Sequence, residues 1–199
     1  MTAIVTGSAG FIGSRLMERL PSAFGIDRAT GPSVQQVDAL PGSCEVIYHL
    51  ASPVGPVGVL GWAGRLASEV IECADIVASW ARMYGCPLVF VSTSEVYGSG
   101  VESHESDDCH FGPEPSARQE YALAKLTAEV MLRNTAGLDV RIARPFNVAG
   151  PGQLGDGGFV LPRFISQALA GEPLTVYPPG TQLRAFTHVD DVVDGLLLT

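Results

Sequence analysis

The stretch that most limits what this chain can fold into lies near its start, "AIVTGSAGFIGSRLMERL". A short apolar strand pattern over Ala3–Thr6 runs into Gly7, Gly10 and Gly13, and a helical pattern follows over Phe11 to Leu20. Glycine adopts positive φ without steric cost and leaves no Cβ where two backbones approach. The spacing therefore predicts a strand, a tight turn and a helix packed close on that strand. The alternation continues along the chain. Strand patterns at Phe24 to Asp27, Val46 to Ala51, Leu88 to Thr93 and Val140 to Arg144 enclose helical patterns at Leu66 to Tyr84 and Ala117 to Asn134. Unbroken apolar strands separated by helices belong to a parallel sheet covered on both faces. The expected fold class is α/β, a doubly wound parallel sheet of Rossmann-like type.

After Pro145 the texture changes. "NVAGPGQLGDGG" is a glycine-rich loop, followed by a helical pattern near Val160 to Ala170. Short segments follow around Leu174 to Tyr177 and Ala185 to Val189, and a helix starts at Asp190. The expectation is one domain over 1–145 and a smaller, partial C-terminal lobe over 146–199.

With 199 residues, 46% hydrophobic and 17% charged, the chain suits a soluble globular protein. A net charge of −9 weighs against nucleic acid or an anionic membrane as partner. The acidic stretch Val101 to Asp108 reads as a solvated loop. There is no uncharged apolar run long enough to cross a bilayer, and no basic segment precedes the first strand as a secretory leader requires. Cys44, Cys73, Cys86 and Cys109 form no C-x-x-C pair, so free thiols in a reducing cytoplasm are expected. The four histidines lack zinc-ligand spacing, and no metal is expected.

The glycine loop has the context of a dinucleotide site, since it follows a strand and opens a helix. Gly7 permits the turn, Gly10 lets backbone approach a pyrophosphate, and Gly13 allows close helix–strand packing. The amides at the helix start, Phe11 and Ile12, are then free to hold phosphate charge. Asp27 ends the next strand, where its carboxylate would accept the adenosine ribose hydroxyls and repel a 2′-phosphate. NAD is thus expected over NADP, although the adjacent Arg28 pulls the other way.

Tyr121 and Lys125 stand four apart in "QEYALAKLTAEV" and share a helix face. A lysine cation beside a phenol favours phenolate, as would the positive charge of a nicotinamide. The strand over Leu88 to Thr93 ends in Ser92-Thr93-Ser94-Glu95, an abrupt change from apolar side chains to three hydroxyls and a carboxylate.

Taken together, these pieces resemble the extended short-chain dehydrogenase/reductase superfamily, in particular its NAD-dependent nucleotide-sugar epimerase/dehydratase group. The resemblance is carried by Gly7 to Gly13, "YHLAS" at Tyr48 to Ser52, "STSEVYG" at Ser92 to Gly98, "YALAK" at Tyr121 to Lys125, "RPFNVAGPG" at Arg144 to Gly152 and "TQLRAFTHVDD" at Thr181 to Asp191. It implies that Tyr121 is the base for the sugar C4 hydroxyl, that Thr93 holds that oxygen, and that Lys125 also holds the nicotinamide ribose. It further implies that Ala51 and Asp38 contact the dinucleotide, Asp38 at the adenine. Ser94, Asn147 and Arg184 would contact the nucleotide sugar, the last two at its phosphates.

Glu95 resembles the glutamate of UDP-glucuronate decarboxylases and of 4,6-dehydratases. The common dehydratases have an aspartate where this chain has Ser94, and "HLASPVGP" at His49 to Pro56 is similar to the decarboxylase branch. The resemblance thus implies decarboxylation of a UDP-hexuronic acid, with 4,6-dehydration or C4 epimerisation as alternatives. A reading of another class, a non-catalytic NAD-binding protein or a fragment, follows from two departures. The segment from Asp27 to Tyr48 is short, as if one helix–strand unit were trimmed, and family members continue for about another hundred residues. A homodimer is expected through Leu66 to Tyr84 and Ala117 to Asn134. The first of these carries more apolar residues (Leu66, Val70, Ile71, Val77, Trp80) than one core-facing stripe needs.

Overall fold

A computed structural model describes residues 2–98, 103–113, 115–155 and 157–199. Five parallel strands form the main sheet: β1 (Ala3–Thr6), β2 (Phe24–Ile26), β3 (Val46–His49), β4 (Leu88–Val91) and β5 (Val140–Ala143), in the order β2-β1-β3-β4-β5. All four pairings are parallel. The chain steps outward from β1 to β2 and then crosses back to lay β3 on the other side of β1. That reversal opens a crevice at the carboxyl ends of β1 and β3, the place where open α/β sheets bind ligands.

The expected strands and long helices are present, each ending within two residues of its expected limit. The helices are α1 (Phe11–Arg19), α2 (Gly55–Gly61), α3 (Leu66–Tyr84), α4 (Ala117–Arg133), α5 (Val160–Leu169) and α6 (Val189–Leu198). Between β2 and β3 there is only a short 3-10 turn, Val34–Gln36, closed by a capping box from Ser33 to Gln36. No further helix or strand stands between β2 and β3, in keeping with the short segment from Asp27 to Tyr48.

α3 and α4 cover one face of the sheet. The buried side of α3 is Leu66, Val70, Cys73, Ala74, Val77, Ala78 and Ala81, and α4 answers with Ala122, Ala124 and Ala128. Small side chains on both helices let them approach closely. Glu120 in the first turn of α4 accepts hydrogen bonds from the Gly64 and Ala67 amides, at 2.6 and 3.1 Å. It caps the start of α3 from outside, and those amides hold its carboxyl below the usual range. The ends of the two helices are thereby fixed to each other. Because Leu66, Val70 and Val77 lie in this core, part of the apolar excess on α3 is consumed within the chain.

Beyond β5 a two-stranded parallel sheet joins β6 (Asn147–Ala149) to β7 (Phe186–His188). No strand forms over Leu174–Tyr177. The expected division at 145/146 is crossed by α6, whose Val193 and Leu196 are buried in one cluster with Val5 and Leu16. Arg15 pairs with Asp190 and Arg19 with Asp194 across the same contact. The last helix of the supposed second lobe therefore packs on the first domain. The described part of the acidic stretch, 103–108, is exposed apart from half-buried Ser103, and the rest of it lies outside the described residues.

Candidate active site

A cavity of about 980 Å³ opens over the crevice. Gly7, Gly10, Phe11, Ile12, Gly13, Asp27, Ala51, Thr93, Ser94, Glu95, Tyr121, Lys125, Asn147 and Arg184 all line it. Asp38 does not. It is exposed and outside the lining, whereas Ser33, Val34 and Gln35 face the cavity. The physical reason is the missing helix–strand unit: the 3-10 turn, not a strand end, now delivers side chains to this wall.

The glycine loop is shaped by contact. Gly7 has φ +72°, and a Cβ there would meet the Ala51 backbone at 2.8 Å; a Cβ on Gly13 would stand 1.9 Å from the Gly7 carbonyl oxygen. Thr6 ties the two strand ends together, its hydroxyl bonding His49 Nδ1 at 2.7 Å and accepting the Ala51 amide at 3.2 Å. His49 is fully buried, which pushes its pKa down to about 3, so it is a neutral strut. At the start of α1, Gly10 offers no side-chain cap and the first turn has no acid. The first-turn amides are thus open to an anion. Asp27 is already engaged, its two oxygens accepting the Ala9 amide at 3.0 Å and the Ala29 amide at 2.8 Å. Each oxygen keeps a lone pair for a further donor.

On the other side α4 presents Tyr121, Lys125 and Glu129 at successive i+4 positions, all buried. Thr93 caps the 3-10 turn Ser94–Tyr97 by accepting the Glu95 amide at 3.2 Å. Burial pushes the Tyr121 phenol up to about 12, with Thr93 pulling it down and the Glu95 carboxylate pushing it further up. Lys125 Nζ donates to the Val91 carbonyl oxygen at 2.9 Å and lies over the Phe90 ring, 4.9 Å from its centroid. Burial lowers that ammonium to about 8, with Cys73 and Glu129 acting in the opposite sense, and it remains a cation at neutral pH. The expectation is that Lys125 and a nicotinamide cation together favour the Tyr121 phenolate; in the protein alone burial dominates. The lysine is turned to a carbonyl, and desolvation dominates the phenol.

Two neighbours of this wall, Arg118 and Glu129, escaped the sequence reading, and Ser92 was read only as one of the strand-end hydroxyls. Arg118 grips Glu95 with two prongs, Nε to Oε2 at 2.5 Å and Nη2 to Oε1 at 2.7 Å. A cation in the first turn of a helix opposes the helix dipole, and that was the available signal. Glu129 extends the Tyr121–Lys125 series by one more turn and pairs with Arg144, whose guanidinium lies over Tyr97 at 5.0 Å. Ser92 is 3% exposed, lines the cavity, and its hydroxyl has no hydrogen-bond partner among the described residues. A buried orphan hydroxyl in a lined cavity suits a polar ligand that supplies the missing bond.

A doubly wound sheet with this glycine loop, and Thr, Tyr and Lys brought to one wall of the crevice, defines an extended short-chain dehydrogenase/reductase. The sequence profile of the NAD dependent epimerase/dehydratase family matches residues 3–199. The chain belongs to that family. UDP-glucuronic acid decarboxylase 6 of Arabidopsis thaliana is 33% identical over 99% of this chain and 65% of its own length. UDP-N-acetyl-alpha-D-glucosaminuronate decarboxylase of Bacillus cytotoxicus is 32% identical over 98% of this chain and 69% of its own. The solved structure of MoeE5 in complex with UDP-glucuronic acid and NAD is 30% identical, with a TM-score of 0.77, covering 100% of this chain and 72% of that one. Other decarboxylase relatives are matched over only half their length. Among the described residues no cluster of His, Cys, Asp or Glu could hold a metal ion, and no helix is long and apolar enough to cross a membrane.

Proposed function

We propose that this chain is the catalytic core of an NAD-dependent enzyme that oxidises C4 of a UDP-linked hexuronic acid and releases its C6 carboxylate as CO₂. The observation that carries the reading is the convergence of Thr93, Tyr121, Lys125 and the Arg118-held Glu95 on one wall of the cavity whose opposite wall is the glycine loop. The kinship with two uronate decarboxylases supports the choice of reaction. The uncapped α1 amides suit the pyrophosphate, and Asp27 suits the adenosine ribose. NAD, when bound, supplies a hydride acceptor for C4 and later a donor.

Tyr121, as phenolate, takes the proton of the C4 hydroxyl, and Thr93 holds that oxygen in line. Lys125 contributes positive charge and a donor for the nicotinamide ribose. Once C4 is a ketone, the C6 carboxylate is β to it, so the C5–C6 electron pair flows toward the C4 carbonyl as CO₂ departs. Glu95, two residues past Thr93, manages the proton at C5. Asn147 and Arg184 reach the sugar-nucleotide phosphates, and residues 146–188 begin the lobe that encloses the sugar.

Product analysis tests the reading. With NAD⁺ and UDP-glucuronate, the expected product is a UDP-pentose. A C4-inverted hexuronate would assign the protein to the epimerases, and a 4-keto-6-deoxy sugar formed from UDP-glucose would assign it to the dehydratases.

The cofactor reading makes its own prediction. Replacing Asp27 by Asn removes the charge and leaves an acceptor for only one of the Ala9 and Ala29 amides. NAD⁺ binding is expected to weaken by about 1–3 kcal/mol, the scale of a charge-assisted hydrogen bond. The gap to NADP⁺ should narrow, as titration calorimetry with both dinucleotides would read.

We also propose a cytoplasmic homodimer built on α3 and α4. Met83, Leu123 and Val130 on these helices remain exposed, a surface that a second copy would cover. Sedimentation at micromolar concentration is expected to give the dimer, and a monomer throughout would contradict it.

A further inference from the structure

Arg28 follows Asp27 directly and lines the same wall of the cavity. A free guanidinium at this point would be the natural partner of a 2′-phosphate, because its planar fork matches phosphate oxygens in pairs. Arg28 is not free. Its Nη1 lies 3.6 Å from Glu69 Oε1, and its guanidinium carbon stands 4.6 Å from the centroid of the Trp62 ring. The other oxygen of Glu69 accepts Gln35 Nε2 at 2.9 Å, and Arg65 lies over the same Trp62 ring at 4.6 Å. Glu69 comes from α3, Gln35 from the 3-10 turn and Trp62 from the end of α2, so three elements fix the arrangement. Asp27 next door has each oxygen on a backbone amide, which tempers the repulsion it can exert on a second anion.

We infer that Glu69, with Trp62 behind it, is a specificity-determining lock: it keeps the Arg28 guanidinium committed and so denies the site its phosphate receptor. This rests on the NAD reading above and assigns part of the cofactor choice to residues remote in sequence from Asp27. An incoming 2′-phosphate would have to compete with the Glu69 carboxylate for a guanidinium that the Trp62 face holds on the Glu69 side. That competition falls on NADP⁺ alone, since NAD⁺ leaves the lock closed.

The test is titration of NAD⁺ and NADP⁺ against the whole chain and its variants, read as the ratio of their dissociation constants. The unmodified protein is expected to favour NAD⁺. Glu69→Gln, close in shape, should shift the ratio toward NADP⁺ by roughly 5–20-fold, and Trp62→Leu in the same direction by less. Arg28→Ala combined with Glu69→Gln should restore the original ratio, because the receptor is gone. An unchanged ratio in Glu69→Gln with NAD⁺ still bound would overturn the lock while leaving the cofactor reading intact. A shift that survives removal of Arg28 would overturn it too. Binding of neither dinucleotide by the unmodified protein would overturn both.

Discussion

Tyr121→Phe is expected to abolish turnover, by about 10³-fold or more, while NAD⁺ still binds. The magnitude follows from what the structure asks of this phenol. With its pKa pushed up to about 12, it is neutral at any ordinary pH in the free protein. Bringing it near 7 takes about 7 kcal/mol, at about 1.4 kcal/mol per unit. Thr93 and Lys125 are in place, and the positive charge of a bound nicotinamide would add to theirs. The sign is definite: ionisation activates the base, so the rate should rise with pH through the phenol's pKa in the complex. Two measurements check this. NAD⁺ added at mildly alkaline pH should raise the tyrosinate absorbance, and that increment should vanish in Tyr121→Phe. An increment that persists in the variant would assign it to another tyrosine.

Glu95→Gln is expected to spare NAD⁺ binding and C4 oxidation and to slow the later steps by about 10²–10⁴-fold, the range for a lost acid–base group. The amide keeps the shape but cannot take up a proton, and it loses one of the two charge-assisted bonds to Arg118. Reduced dinucleotide should therefore accumulate in the variant during a single turnover. An unchanged rate would remove Glu95 from the chemistry.

Much of this site could be read from the chain because its parts carry local signals. The glycine loop, the Tyr121–Lys125 spacing and the polar end of β4 each depend on near neighbours in sequence. What was missed depends on distant ones. The family resemblance implied Asp38 at the adenine, but the stretch from Asp27 to Tyr48 holds only a 3-10 turn before β3 and Asp38 lies outside the cavity lining. Gln35 lines the cavity where Asp38 does not. Arg118, Glu129 and Glu69 acquire their partners only when α3, α4 and the strand ends come together. α2 went unrecognised because "GPVGVLG" has neither polar–apolar period nor good helix formers. The Arg144–Glu129 pair is legible only after β5 and α4 are packed.

The proposed reaction oxidises C4 in order to break the C5–C6 bond. UDP-glucuronate carrying its isotopic label at C6, incubated with the protein and NAD⁺, tests that claim directly. The account predicts that label leaves as CO₂, that it does so only with NAD⁺ present, and that Tyr121→Phe releases none. Label fully retained in a converted sugar nucleotide would contradict it.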